Sequence, residues 1–257
     1  MTETILRTLE KIEREHNVKI LYAVESGSRA WGFASPDSDY DVRYVFVRPL
    51  SDYLRIDPLK ETIEGPLDDV LDFTGWDIRK TLELLRKTNP SLMEWLGSPI
   101  VYRTTPEWEA MREKFPRFFN PYANIQHYVS MMDKNYKTYI RNQEKVKLKR
   151  YLYVLRPLLC CLWLERFGTV PPVPFDVLRE AVLPEEMRET VGSLLERKKK
   201  TAETDLTDPI PELDAFILAH LPRLKEGKFQ VERTCLPEAE PFNEMFREIL
   251  EKTRDQF

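Results

Sequence analysis

Asp39 and Asp41 stand two residues apart in the stretch 21–47, LYAVESGSRAWGFASPDSDYDVRYVFV, with Gly27-Ser28 a short way upstream. In extended backbone alternate side chains share a face, so the two carboxylates point the same way and repel. A divalent cation offsets that repulsion, and hard carboxylate oxygens suit Mg²⁺. Gly27 permits close backbone approach, the Ser28 hydroxyl donates, and free N–H groups at a helix start attract anions. A phosphate site on one side and metal-binding acids on the other are what metal-dependent transfer from a nucleoside triphosphate requires. A lone Gly-Ser or Asp-x-Asp is common in loops; here the two occur together, each beside a strand.

Those strands are legible. Residues 21–24 form a short apolar run that reads as a buried strand, and 42–47 read as a second one starting near Asp39. Gly27-Ser28 turns the chain into a short helix around 29–31, and 32–37 is a polar loop with Pro36. Ahead of them Ile5, Leu9 and Ile12 recur at helical spacing, which predicts an amphipathic helix over 3–15. Residues 56–63 read as a loop or a short strand pair, and 70–73 as another strand. Asp77 or Thr74 caps a helix with Ile78, Leu82 and Leu85 on one face. Asn89-Pro90 stops it, Ser91 and Glu94 make a capping box, 98–102 read as a last strand, and Thr105-Pro106 opens a helix.

Beyond Pro116 strand signals vanish. Met132, Tyr136, Tyr139, Gln143 and Val146 share one helical face, opposite Lys134, Lys137, Arg141 and Lys145. The pattern breaks at 147–150, after which a strongly apolar helix runs on, with Pro157 expected to kink or restart it. Residues 171–174 form a rigid break, and further helices are expected near 175–181, 185–199, 211–224 and 240–254. The expected fold class is α+β: a small mixed sheet with flanking helices over 1–116, then an all-α part over 117–257.

Composition bounds the rest. The 257 residues carry a net charge of −4, so any nucleic-acid site is a local patch rather than a basic surface. No run of 18 apolar residues suggests a membrane span. Cys160, Cys161 and Cys235, with His16, His127 and His220, make no zinc spacing. Cys160-Cys161 sits in an apolar run and reads as core, which fits a reducing, cytoplasmic setting. Residues 134–150 hold seven basic residues against one acid, Glu144, with tyrosines interleaved. Such a run is usually a solvated face; a basic track with aromatics also suits a triphosphate tail or a nucleic-acid backbone. Trp31 and Phe33 read as packing residues, with base stacking as the other option.

GSRAWG followed by SDYDV resembles the signature of the polymerase-β-like nucleotidyltransferases. The longer string ESGSRAWGFASPDSDYDVRYVFV is similar to one branch, the predicted nucleotidyltransferases associated with RNA ligases and an RNA repair pathway. The likeness extends through GWDIRKTLELLRKTNPSLMEWLGSPIVY and KRYLYVLRPLL and fades after Pro174. It implies two Mg²⁺ ions (or Mn²⁺) held by Asp39, Asp41 and a third carboxylate on a neighbouring strand. Asp72 is the best match, with Asp69 and Asp77 as rivals. It also implies nucleotide contacts at Gly27, Ser28, Arg29 and Ser38, and from Lys149 and Arg150 in a helical domain closing over the cleft. The implied reaction moves a nucleoside monophosphate from a triphosphate to a hydroxyl, with release of pyrophosphate and an RNA 3′ end as acceptor. A protein or small-molecule acceptor, or a non-catalytic nucleotide- or RNA-binding module, are the alternatives.

Overall fold

The computed structural model describes residues 1–65, 70–201 and 205–257. In chain order come α1 (Thr2–His16), β1 (Lys19–Glu25), α2 (Gly27–Trp31), β2 (Tyr40–Val47), α3 (Leu50–Tyr53), β3 (Thr62–Glu64) and β4 (Leu71–Asp77). Then follow α4 (Ile78–Arg86), α5 (Pro90–Leu96), β5 (Val101–Thr104), α6 (Pro106–Arg112) and a 3-10 turn (Phe115–Phe118). The back of the chain adds α7 (Pro121–Tyr139), β6 (Val146–Lys147), α8 (Leu148–Phe167), α9 (Phe175–Val182), a 3-10 turn (Glu185–Met187) and α10 (Arg188–Lys200). β7 (Leu206–Thr207), α11 (Pro211–Lys225) and α12 (Glu240–Lys252) complete it. The fold is α+β, as expected.

Two compact units divide the chain: Met1–Ala30, Asp39–Phe119 and Leu236–Phe257 in the first, Trp31–Ser38 and Asn120–Cys235 in the second. The expected boundary near 116 lies close to Phe119, but two segments depart from a simple front-and-back division. The last helix belongs with the front because Phe242, Met245 and Ile249 are buried in one cluster with Leu82, Trp108 and Phe118. Segment 31–38 belongs with the back because Phe33, fully buried, packs edge-on against Phe175 at 5.7 Å between ring centroids. Trp31 packs against Phe33 and Tyr153, so both aromatics serve packing.

In the first unit the sheet order is β3-β4-β2-β1-β5. β2 and β4 run parallel; the β3–β4, β1–β2 and β1–β5 pairs are antiparallel. Strand alternation sorts the side chains into two clusters. Val42, Tyr44 and Phe46 of β2 join Ile5, Leu9 and Ile12 of α1 on one face. Val45 and Val47 join residues of α4, α5, α6 and α12 on the other. Asp41 and Arg43 have the parity of Val45 and Val47, so they sit at the strand end on this second face.

Several local expectations are corrected. β4 runs four residues beyond 73, because Gly75 leaves room for the Tyr44 ring beside it: a Cβ there would lie 2.6 Å from Tyr44 Cδ2. Asn89, not Ser91, caps α5, its side chain accepting from the Leu92 amide with Pro90 at the first helical position. α7 ends at Tyr139, where the Arg141 amide donates to Tyr136 O and Asn142 takes a φ of 59°. Gln143 and Val146 are therefore off the helix, and the break falls near 140 rather than 147. The back half is not purely helical, since Val146 pairs with Thr207 and Lys147 with Leu206. α8 is assigned as one helix with Pro157 inside it.

Candidate active site

The parallel pairing of β2 and β4 makes Asp41 and Asp72 register partners. Two carboxylates on adjacent strands thus stand side by side at one end of the sheet. Arg43, two residues along β2, reaches both: Nη2 donates to Asp41 Oδ1 at 2.7 Å and to Asp72 Oδ2 at 2.8 Å. Its Nη1 donates to the Asp72 carbonyl at 3.1 Å. The guanidinium offsets the repulsion that two acids at this spacing would otherwise suffer.

A third acid holds the backbone of Asp41. Glu25, the last residue of β1, is fully buried. Its Oε1 accepts from the Asp41 amide at 2.7 Å, and its Oε2 accepts from the Tyr102 hydroxyl of β5. Its own carbonyl accepts from Ser98 Oγ at 2.6 Å. Burial pushes the Glu25 carboxyl above its ordinary range, and these two donors pull it back part of the way. Through this residue β1, β2 and β5 are tied together beside Asp41.

Gly27 follows at a φ of 59°, where a side chain is strained. A Cβ at this position would collide with Asp41 Oδ2 and lie 3.0 Å from the Asp41 carboxyl carbon. The glycine therefore makes room for the acid as well as for the turn. Ser28 is buried in the single turn of α2. The Arg29 guanidinium lies 3.7 Å over the Tyr40 ring, and its Nε donates to the Asp39 carbonyl at 3.0 Å. Asp39 is exposed in the residue before β2.

Of the residues singled out from the sequence, Gly27, Ser28, Arg29, Asp39, Asp41 and Asp72 lie in the first unit. Asp77, a rival for the third carboxylate, is buried as the cap of α4, accepting from the Arg79 amide at 2.8 Å and from the Tyr53 hydroxyl at 2.9 Å. Asp69, the other rival, lies outside the described residues. Ser38 lies in the second unit, buried, its hydroxyl 2.9 Å from Ser35 Oγ. Lys149 and Arg150 also lie in the second unit, in the first turn of α8, where the Arg150 guanidinium stacks 3.6 Å over Tyr139.

Glu25 and Arg43 were not anticipated. Glu25 closes an apolar strand just before the Gly-Ser turn, and an acid buried there is the kind of residue that needs a reason. Arg43 was marked by parity alone, since alternation sets it on the face of Asp41.

The donor set suits a hard divalent cation. Mg²⁺ is commonly held by one or two carboxylates together with waters and substrate phosphates, and Asp41 and Asp72 are two carboxylates side by side. Arg43 stands in for a cation at the same oxygens. Among the described residues no three His, Cys, Asp or Glu side chains close on a common point.

The first unit thus sets a mixed sheet with paired acids beside a glycine turn. Residues 1–248 match the RNA repair pathway DNA polymerase beta family, and the chain belongs to that family. It is a nucleotidyltransferase of the polymerase-β type. The uncharacterized protein YcgL of Bacillus subtilis (strain 168) is 45% identical over 229 residues, 88% of each chain. The spectinomycin adenyltransferase AAD(9) from Enterococcus faecialis, solved with ATP and spectinomycin, is 17% identical at a TM-score of 0.48, over 88% of this chain and all of that one. A nucleotidyltransferase-like protein from Exiguobacterium sibiricum 255-15 is 12% identical at a TM-score of 0.33, over 96% of this chain and 79% of that one.

Proposed function

We propose that the protein transfers a nucleoside monophosphate from a nucleoside triphosphate to the hydroxyl of an RNA end, with Mg²⁺ held by Asp41, Asp72 and Asp39. The observation that carries this reading is the side-by-side placement of Asp41 and Asp72, one residue of each parallel strand, next to the Gly27 turn. The acceptor rests on the family's description as an RNA repair pathway family.

Bound at these acids, Mg²⁺ supplies charge neutralisation for the triphosphate and acidifies the acceptor hydroxyl. The remaining work falls to the chain. Gly27, Ser28 and Arg29 hold the β- and γ-phosphates. Asp72 takes the hydroxyl proton. The acceptor oxygen then bonds to the α-phosphorus as the bond to the bridging oxygen breaks, and pyrophosphate leaves with the electron pair. Glu25 keeps Asp41 in place through its amide.

Lys149 and Arg150 are assigned to the triphosphate tail. The first turn of the 20-residue α8 carries these two cations and no acid, so their charge and the positive end of the helix dipole add in attracting an anion. Free Cys235 is exposed, which suits a reducing compartment such as the cytoplasm.

The test is pyrophosphate release, measured with each of the four triphosphates against single-stranded RNA ends, with a protein and an aminocyclitol as rival acceptors. Release that requires the RNA and a divalent cation, with RNA binding that weakens steeply as salt rises, supports the reading. Release driven by either rival acceptor alone refutes the RNA assignment. Lys149→Ala should weaken triphosphate binding clearly and Lys134→Ala hardly at all.

A further inference from the structure

Arg43 has no part in the transfer chemistry set out above, yet it sits at its centre. Nη2 bridges Asp41 Oδ1 and Asp72 Oδ2 at 2.7 and 2.8 Å. Nη1 donates to two main-chain carbonyls, of Asp72 at 3.1 Å and of Val42 at 3.4 Å. The fork is thereby fastened to both strands independently of the carboxylates. Its side chain is 16% exposed, against 29% for Asp41 and 36% for Asp72, so the cation lies deeper than the acids it joins. Arginine does not give up its proton in proteins, so its charge cannot be switched off. An incoming divalent ion therefore meets a net charge of −1 from these three side chains rather than the −2 of the bare acids.

We propose that Arg43 is a resident counter-cation: it keeps Asp41 and Asp72 in register while no divalent ion is bound, and it competes with such an ion for their oxygens. This rests on the reading of Asp41 and Asp72 as cation ligands. When a divalent ion arrives, the carboxylate oxygens turn to it and the guanidinium stays on the two carbonyls. The competition sets an entry threshold. A bare ion is held weakly, whereas an ion that arrives with a triphosphate brings phosphate oxygens as further ligands and overcomes the threshold. The site is thus selective for the metal–nucleotide complex over the free metal.

The probe is Mn²⁺, whose free concentration is read by electron paramagnetic resonance with no nucleotide present and no turnover required. Arg43→Gln should bind Mn²⁺ about tenfold more tightly than the parent, the factor expected for removing one unit charge next to a doubly charged ion in a wet site. In chelator the same variant should melt about 5 °C lower, and saturating Mn²⁺ should restore most of that loss. Arg43→Gln combined with Asp72→Asn removes one of the repelling acids and should melt near the parent in chelator; it carries the test should the single variant not fold. Mn²⁺ binding by the parent that is equal or weaker in Arg43→Gln overturns the proposal and leaves the metal reading standing. So does a double variant no more stable than the single one. Absence of Mn²⁺ binding in parent and variant alike removes the metal reading, and the proposal with it.

Discussion

The carboxylate of Asp41 lies against the bare face of Gly27, its Oδ2 too close for any Cβ to be built there. Gly27→Ala should therefore displace the acid. Strain at a φ of 59° and the collision together should cost about 2–4 kcal/mol of stability. Transfer should fall about a hundredfold or more, as an ångström of misplacement does. Gly32→Ala is the matched control, since Gly32 has a φ of 87° with nothing near its missing Cβ. Urea denaturation and pyrophosphate release on both variants separate backbone strain, common to the two, from the collision, peculiar to Gly27.

Asp41→Asn and Asp72→Asn should each reduce transfer to background under saturating Mg²⁺, while Asp77→Asn should lower stability and leave the chemistry nearly intact. Because Arg43 already offsets the repulsion, neutralising Asp41 or Asp72 should cost about 1 kcal/mol rather than stabilise the fold. Near-normal turnover in either site variant would sink the assignment.

Glu25 links the site to pH. Burial raises its carboxyl above the ordinary 4.5, so over a window beginning there the folded protein holds a proton that the unfolded chain releases. In that window stability falls as pH rises, and above the raised value the full cost of a buried carboxylate is present. Glu25→Gln carries no charge at any pH and lacks this slope. The stability of the parent minus that of the variant, from urea melts between about pH 4 and pH 8, should decline and then level off. Tyr102→Phe, which removes a donor to the charged form, should extend the decline to higher pH. A difference independent of pH would show that the Glu25 charge costs the fold nothing.

Gly75 and Tyr44 are register partners on β4 and β2, and the ring lies over the glycine. The Tyr44 hydroxyl donates to the Ile63 carbonyl at 3.0 Å, which holds the ring in place. Gly75→Ala should thus be among the costlier single-methyl additions, about 2–3 kcal/mol, measured as a shift in the denaturation midpoint. The companion Gly75→Ala with Tyr44→Leu should recover part of the loss if the ring is the obstacle.

What was legible in the chain was what repeats or punctuates locally. Ile5, Leu9 and Ile12 marked α1 by period, Thr105-Pro106 marked the start of α6, and the alternation through 42–47 marked β2 and the face of Asp41. The likeness of the Gly-Ser and Asp-x-Asp strings pointed to Asp72 as the partner of Asp41. What was missed depends on neighbours distant in sequence. β4 continues past Phe73 only because Gly75 meets Tyr44. The two-residue pairing of β6 and β7 joins segments some sixty residues apart and has no periodic signature. Arg43 and Glu25 acquire their roles from Asp72 and Tyr102, each on another strand.

The position of α12 bears on how the molecule comes to exist. Phe242, Met245 and Ile249 complete the core around Leu82 and Trp108, yet they stand well over a hundred residues further along the chain and are made long after them. Every residue of the second unit, 31–38 and 120–235, has been made before them. During synthesis the acid-bearing sheet therefore waits with one apolar wall uncovered until every residue of the second unit has been made, a period of exposed surface of the sort that nascent-chain chaperones cover. The unit begun first is finished last.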